Sequence, residues 1–238
     1  MKTLFVNGGS RGIGESIVRL FSDRGYAVAF TYLDSVGRAE KLASDTGSLA
    51  LRADSACESE TAEAVRAALF ELGHIDVLVN NAAISSFSLF TDIEYKDWRR
   101  MMDVNVGGAF LYSKLILPGM ISRKSGKIIN ISSMWGIAGA SCEVHYSASK
   151  AALIGMTKAL AREVGPSGIT VNAVAPGLID TEMNRALSAE DIAAICDDTP
   201  LMRMGRPEEI AECVYFLAES TGDFITGQVI SPNGGLVI

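Results

Sequence analysis

Short apolar runs alternate along this chain with longer segments whose apolar residues recur every three or four positions. The short runs occupy residues 3–6, 26–32, 48–53, 75–79, 127–132, 170–174 and 228–230. Their length, and the apolar residues at consecutive positions, predict strands buried on both faces. The periodic segments predict helices over 15–21, 38–42, 60–72, 95–122 and 146–164. A last helix is expected to start at Pro207-Glu208-Glu209. Strand and helix alternate throughout, with no linker, repeat or low-complexity tract. Such alternation calls for crossover helices and a parallel sheet. The expectation is one domain over residues 1–238, an α/β doubly wound fold whose central seven-stranded parallel sheet carries helices on both faces.

The exception to this regularity is 178–204, where the pattern turns irregular, polar and methionine-bearing. Ser188-Ala189-Glu190-Asp191 reads as the capping signal of a short helix. A long excursion after a strand end is where a substrate lid is expected.

Composition narrows the class. With 48% hydrophobic and 21% charged residues, the chain reads as a soluble globular protein. No apolar run approaches the roughly 18–20 residues of a membrane span. A strand beginning at Thr3 leaves no room for a secretory leader. Cys57, Cys142, Cys196 and Cys213 show no C-x-x-C spacing, and His74 and His145 are the two histidines. No metal site is expected, and the free thiols suit a reducing, cytoplasmic setting. The formal charge of −7 argues against a nucleic-acid partner, because phosphate binding wants a basic face.

The candidate chemistry sits at the strand ends. Asn7-Gly8-Gly9-Ser10-Arg11-Gly12-Ile13-Gly14 joins the first strand to the first helix. Glycines there permit close backbone approach, and the helix start offers amide hydrogens to a pyrophosphate. This is the phosphate turn of a Rossmann-like fold. The tip of the second strand, where an acidic residue would select NAD, falls at Tyr32. Arg11 instead suits a 2′-phosphate. NADP(H) is therefore favoured, while Asp34, two positions on, keeps NAD(H) open.

Asn80-Asn81-Ala82-Ala83 ends the fourth strand, and Asn105 interrupts a predicted helix where asparagine needs a reason. Ser133 follows the fifth strand. Tyr146 and Lys150, four apart on one helix, share a face about one turn apart. An ammonium beside a phenol favours the phenolate, so Tyr146 is expected below its ordinary pKa of ~10. On an isolated helix the same pair would be an ordinary surface contact. Trp135 and Cys142-Glu143-Val144-His145 flank these residues as candidate pocket walls. The loop carrying Glu143 and His145 is expected to be exposed, so no second acid/base pair is expected there.

In this order and spacing, the motifs resemble the short-chain dehydrogenase/reductases along essentially the full length. The resemblance rests on Gly8…Gly12-Ile13-Gly14, Asp54, Asn80-Asn81-Ala82, Asn105, Ser132-Ser133, Tyr146…Lys150 and Pro176-Gly177. Within the family the chain is similar to bacterial 3-oxoacyl-[acyl-carrier-protein] reductases, through 10–14, 161–164 and 225–228. The resemblance implies a general acid or base at Tyr146, tuned by Lys150, a carbonyl ligand at Ser133, and a relay water held by Asn105. It implies a cofactor cradle of Gly8, Ser10, Arg11, Gly12, Ile13 and Gly14, with adenine at Asp54 and a ribose at Asn80 and Ala82. The nicotinamide end would meet Tyr146, Lys150, Pro176, Gly177 and Thr181.

The implied reaction is NADPH-dependent reduction of a 3-oxoacyl thioester in fatty-acid synthesis, by a cytoplasmic homotetramer with acyl carrier protein as a possible partner. Another ketone or secondary alcohol (a steroid, a sugar, a ketone on a modified protein) and a non-catalytic nucleotide sensor remain the alternatives. The chain departs from the family pattern at Asn7, Ala83 and Ser167. Ser167 stands where a carrier-docking arginine is usual, leaving Arg123, Lys124 and Lys127 as a candidate basic patch.

Overall fold

A computed structural model of the chain describes residues 1–184 and 187–238. The strands are β1 (Thr3–Asn7), β2 (Ala27–Tyr32), β3 (Leu49–Arg52), β4 (Val77–Asn80), β5 (Gly126–Ile131), β6 (Ile169–Val174) and β7 (Val229–Ile230). All pair in parallel, in the order β3-β2-β1-β4-β5-β6-β7. The chain builds outward from β1 to β3, then returns across β1 and builds the other way. At that reversal, between β1 and β4, loops diverge above the carboxyl ends and leave a crevice.

Helices α1 (Gly12–Asp23), α2 (Val36–Thr46) and α9 (Pro207–Ala218) cover one face, and α3 (Glu58–Leu72), α5 (Gly108–Arg123) and α7 (Val144–Val164) the other. Strand alternation produces the division. Leu4 and Val6 of β1 join Ile17, Phe21, Val214 and Leu217, whereas Phe5 joins Tyr112, Ile116 and Val164. Each fully buried Leu, Ile or Phe contributes about 1.5–3 kcal/mol.

Helix α4 (Tyr95–Met102) runs through a π-turn, Asp103–Gly107, into α5. The sequence expectation of one helix over 95–122 holds in length but not in winding. An 18-residue window within this run, Tyr95–Arg123, has a mean hydropathy of 1.3, and among the described residues the run is the one helix long and apolar enough to pass as a membrane span. That qualifies the expectation of no such stretch. Within the fold, 44% of its apolar window is buried, and Tyr112 packs against Phe5 at 5.3 Å between ring centres. Two short helices follow later: α6 (Trp135–Ala138), which the hydrophobic pattern did not predict, and α8 (Ala189–Asp198). Helix α8 starts at Ser188 with the expected reciprocal cap, Asp191 N–H to Ser188 Oγ at 3.1 Å and Ser188 N–H to Asp191 Oδ2 at 3.2 Å. The segment 178–204 includes Arg185 and Ala186, which lie outside the described residues.

One row of polar side chains crosses this apolar interior. Asn7, Asn80 and Asn130 stand in register on β1, β4 and β5. Asn7 Nδ2 donates to Asn80 Oδ1 (3.2 Å), Asn80 Nδ2 to Asn130 Oδ1 (2.8 Å), and Asn130 Nδ2 to Thr157 Oγ1 of α7 (2.8 Å). Asn80 Nδ2 also reaches Ser113 Oγ of α5 at 3.1 Å. Buried amides are tolerated because their polar atoms find partners. Asn130→Ala removes one buried hydrogen bond from Asn80 and one from Thr157. It is expected to cost about 2–3 kcal/mol, read as a lower urea midpoint, with the m-value unchanged.

Candidate active site

Two adjoining clefts open above the carboxyl ends of the strands. The first, about 250 Å³, is walled by the glycine turn, the tip of β2, Asp54 and Arg100. The second, about 470 Å³, contains Ser133, Tyr146 and Lys150. Ile13, Asn81, Ala83, Thr181 and Met183 line both. A long ligand lying across them would bring its far end to the tyrosine.

The first cleft is built by backbone conformation. Gly8 and Gly12 have φ of +69° and +55°, which side chains rarely adopt, and a Cβ on Gly8 would lie 2.8 Å from Ala82 Cα. Gly14 is buried and does not line the cleft; a Cβ there would meet Gly8 O at 2.2 Å. Its role is to let α1 close against the turn. No side chain caps the start of α1, so its first amide hydrogens remain for an anion. These features fit the pyrophosphate of a dinucleotide. Ser10, Arg11, Ile13, Tyr32 and Ala82 line the same cleft, as expected.

Asp54 also lines it, but its carboxylate already accepts from Ala56 N–H (2.9 Å) and pairs with Arg100 (3.0 Å). Arg100 was not anticipated. Neither was the cluster at the β2 tip, where Glu182 contacts Arg38 and lies 3.7 Å from Arg11. The helical signal around Arg38 was visible in sequence. That residues more than 140 positions apart would meet there was not.

Two expected ligands are corrected. Asn80 is 3% exposed, and its amide is consumed by Asn7, Ser113 and Asn130. Its side chain points into the sheet–helix interior, so Asn81 supplies the cleft wall, donating to Gly8 O at 2.8 Å. Asn7, noted only as a departure, orients this segment: its Oδ1 accepts from Asn81 N–H and Ala82 N–H, both at 2.6 Å. Asn105 is likewise buried, and its amide lines neither cleft. Oδ1 accepts from Ile84 N–H (2.8 Å), and Nδ2 donates to Ile84 O (3.0 Å) and Ser149 Oγ (3.0 Å). Its side chain therefore ties the 84–88 loop to α7.

In the second cleft, Ser133 accepts from Trp135 N–H at 3.1 Å and is in hydrogen-bonding contact with Tyr146. Lys150 Nζ donates to Ile131 O at 2.9 Å and lies 5.6 Å from the centre of the Tyr146 ring. The expected lowering of the tyrosine is reversed. Burial pushes Tyr146 up to about 12, opposed by the Ser133 contact and assisted by the charge of Glu143. Burial also drives Lys150 down to about 7. The two groups leave water together, and desolvation penalises phenolate and ammonium alike. Pro176, Gly177 and Thr181 complete the wall.

Glu143 and His145 are not exposed, although Val144 between them is. Glu143 is 6% and His145 1% exposed, because Ser88 N–H bonds Cys142 O (2.8 Å) and Ser86 Oγ bonds His145 Nε2 (2.7 Å). The basic patch lies elsewhere: Arg123, Lys124 and Lys127 sit at the amino end of β5, opposite the clefts. Arg123 bonds Ile75 O (2.7 Å), and Lys127 pairs with Asp223 (2.6 Å).

Folding releases part of the Lys150 proton at neutral pH, because burial brings its value down to about 7. Between about 7 and its ordinary 10.5, the unfolded chain holds a proton that the folded chain has released, so stability rises with pH across that window. Below it the penalty is fully present. Lys150→Met is expected to stabilise the fold at pH 7 by about 0.5–2 kcal/mol, with the gain shrinking toward pH 10. Urea unfolding at both pH values measures this; a less stable variant at pH 7 contradicts it.

Known proteins resemble this chain end to end. A family model described as enoyl-(acyl carrier protein) reductase matches residues 8–237. A 3-oxoacyl-[acyl-carrier-protein] reductase, FabG, of Staphylococcus epidermidis is 39% identical, covering 99% of this chain and 98% of that protein. An uncharacterized oxidoreductase, YmfI, of Bacillus subtilis is 38% identical over 98% of each chain. Among solved structures, a short-chain dehydrogenase/reductase of Serratia marcescens superposes with a TM-score of 0.93 at 39% identity, covering 99% of this chain and 97% of that one. With the glycine turn and the serine–tyrosine–lysine cleft in their expected places, the chain belongs to the short-chain dehydrogenase/reductase family and is an NAD(P)-dependent oxidoreductase.

Proposed function

We propose that this protein reduces a 3-oxoacyl thioester, carried on acyl carrier protein, to the 3-hydroxyacyl product with NADPH. The observation that carries the reading is the Tyr146–Ser133 pair on the wall of a largely apolar cleft that adjoins the nucleotide cleft. Ile13, Phe87, Trp135, Leu178, Leu187 and Ile195 offer an acyl chain apolar contact. The names of the relatives point the same way.

A bound nicotinamide dinucleotide would supply the hydride; the glycine turn, Asn81, Ala82, Thr181 and Lys150 would hold it. Tyr146, held near pKa 12, carries its proton at neutral pH and suits the role of acid toward a developing alkoxide. Ser133 receives Trp135 N–H and shares a hydrogen bond with Tyr146, so a substrate oxygen placed between the two would meet both hydroxyls. Once the tyrosine has given its proton, the ammonium form of Lys150 steadies the phenolate. Segment 178–204 would act as the lid, since Thr181 already lies over the glycine turn, 3.3 Å from where a Cβ on Gly12 would be. A cytoplasmic homotetramer is the family habit, and the half-exposed Phe110 on α5 fits burial between subunits.

NADPH is preferred because Arg11 and Arg38 together offer two guanidinium groups at the β2 tip, now shared with Glu182. Charge-assisted bonds to a phosphate are worth about 1.5–3 kcal/mol. Arg38→Ala is thus expected to raise the KM for NADPH about 10- to 100-fold and to leave the KM for NADH within a few-fold. A wild-type preference for NADH at limiting concentration would instead give the ribose to Asp34.

The reaction itself is tested by following reduced-nicotinamide absorbance with 3-oxoacyl thioesters of acyl carrier protein and of coenzyme A, free ketones, steroids and sugars. Thioesters are expected to be the best substrates, and Tyr146→Phe to lower kcat/KM about 10²- to 10⁴-fold while NADPH still binds. Equal rates on small free ketones would defeat the thioester assignment, and undiminished turnover by Tyr146→Phe would defeat the mechanism.

A further inference from the structure

Glu143 is a buried acid that the chemistry described so far does not use. It stands at the N-cap of α7, three residues before Tyr146, and its side chain caps nothing. It lines the substrate cleft with Ser133 and Tyr146, is 6% exposed, and its Oε2 is buried without a hydrogen-bond partner. Among the described residues, a buried carboxyl with an orphaned oxygen is rare enough to need a reason.

The charged and titratable groups around it are few. Within the cleft the others are Tyr146 and Lys150, and the lysine is tied to Ile131 O. His145 is the next residue on α7; its Nε2 is engaged by Ser86 on the 84–88 loop, and burial lowers its pKa, so it stays neutral at pH 7. Among the described residues, those of 176–184, Leu187 and Ile195 of α8 bring no charged side chain into the cleft. Asp97 of α4 acts on His145 rather than on Glu143. Burial raises the carboxyl to about 7. Near neutrality it is substantially a carboxylic acid, and an acid can donate.

A 3-oxoacyl thioester has two carbonyl oxygens separated by one methylene. Tyr146 and Ser133 account for the oxygen being reduced. We propose that Glu143 determines specificity by donating its carboxyl hydrogen to the second, thioester carbonyl oxygen of the substrate. Glu143 at the N-cap and Tyr146 in the first turn of α7 both line this cleft, an arrangement that suits the two oxygens of a 1,3-dicarbonyl. An ionised Glu143 would present lone pairs to a lone-pair acceptor and would hold a negative charge beside the tyrosine. The acid form is therefore the productive one. This assignment rests on the thioester reading above.

The test compares a 3-oxobutyryl thioester of N-acetylcysteamine with a mono-ketone of matched length, with NADPH, from pH 5.5 to 9. The readout is the ratio of the two kcat/KM values. Lys150 also titrates near 7, but it serves both substrates and cancels in the ratio. For the wild type, the ratio is expected to fall as pH rises through about 7. In Glu143→Gln, which keeps a donor and cannot ionise, the ratio should become independent of pH. In Glu143→Leu, it should drop about 10- to 100-fold below the acid-limb value of the wild type.

A ratio that both variants leave unchanged overturns the donor role while leaving the thioester reading intact. A ratio that rises with pH and is lost in Glu143→Gln shows a carboxylate accepting from a substrate donor, which also overturns it. Turnover of mono-ketones or sugars with none of the thioester overturns both assignments together.

Discussion

The site depends on a row of amides inside the sheet. Asn7, Asn80 and Asn130 lie side by side on three adjacent strands and end on Thr157 of α7. Each is buried where solvent cannot replace a lost partner, so the row holds one register. Its position at the carboxyl ends means that fixing it also fixes what leaves those ends. Asn7 Oδ1 sets the backbone of 81 and 82, which walls both clefts. Thr157 anchors the helix that carries Tyr146 and Lys150. A second clamp, Asn105 between Ile84 and Ser149, holds the mouth of the cleft to the same helix.

Against that rigid floor, the reacting groups are defined by exclusion from water. Tyr146 and Lys150 are both buried, and both are pushed toward their neutral forms. A phenol kept protonated suits proton donation. Glu143 is subject to the same physics and reaches the same outcome from a different residue type: a carboxyl kept protonated near neutrality. The cleft thus gathers hydrogen donors, which is what a substrate rich in carbonyl oxygens requires.

At the opposite end of the groove the logic is reversed. The tip of β2 is half-buried, and the arginine side chains beside it, Arg11 and Arg38, are more than half exposed. Arg11 and Arg38 share Glu182, which arrives from the segment following β6. A phosphate on the ribose would meet guanidinium groups that already hold an anion, so cofactor choice and the position of that segment are coupled through one carboxylate.

Much of this was legible in one dimension. Apolar runs of strand length, separated by helical periodicity, require a parallel sheet, and glycines between the first strand and helix require a close-approach turn. The reciprocal cap at Ser188 and the Tyr146–Lys150 spacing are likewise local, set within four residues. The sequence by itself therefore determined the fold, the phosphate turn and the residue pair that can move a proton. What it did not determine is direction and dielectric. Asn80 and Asn81 are identical in type and adjacent, yet one faces the interior and the other the cleft. Asn105 bonds protein atoms, Glu143 is buried instead of solvated, and Tyr146 is raised instead of lowered. Each of these depends on what packs against the residue from distant parts of the chain. Desolvation and side-chain facing exist only once the α7 helix, the 84–88 loop and the sheet have closed on one another.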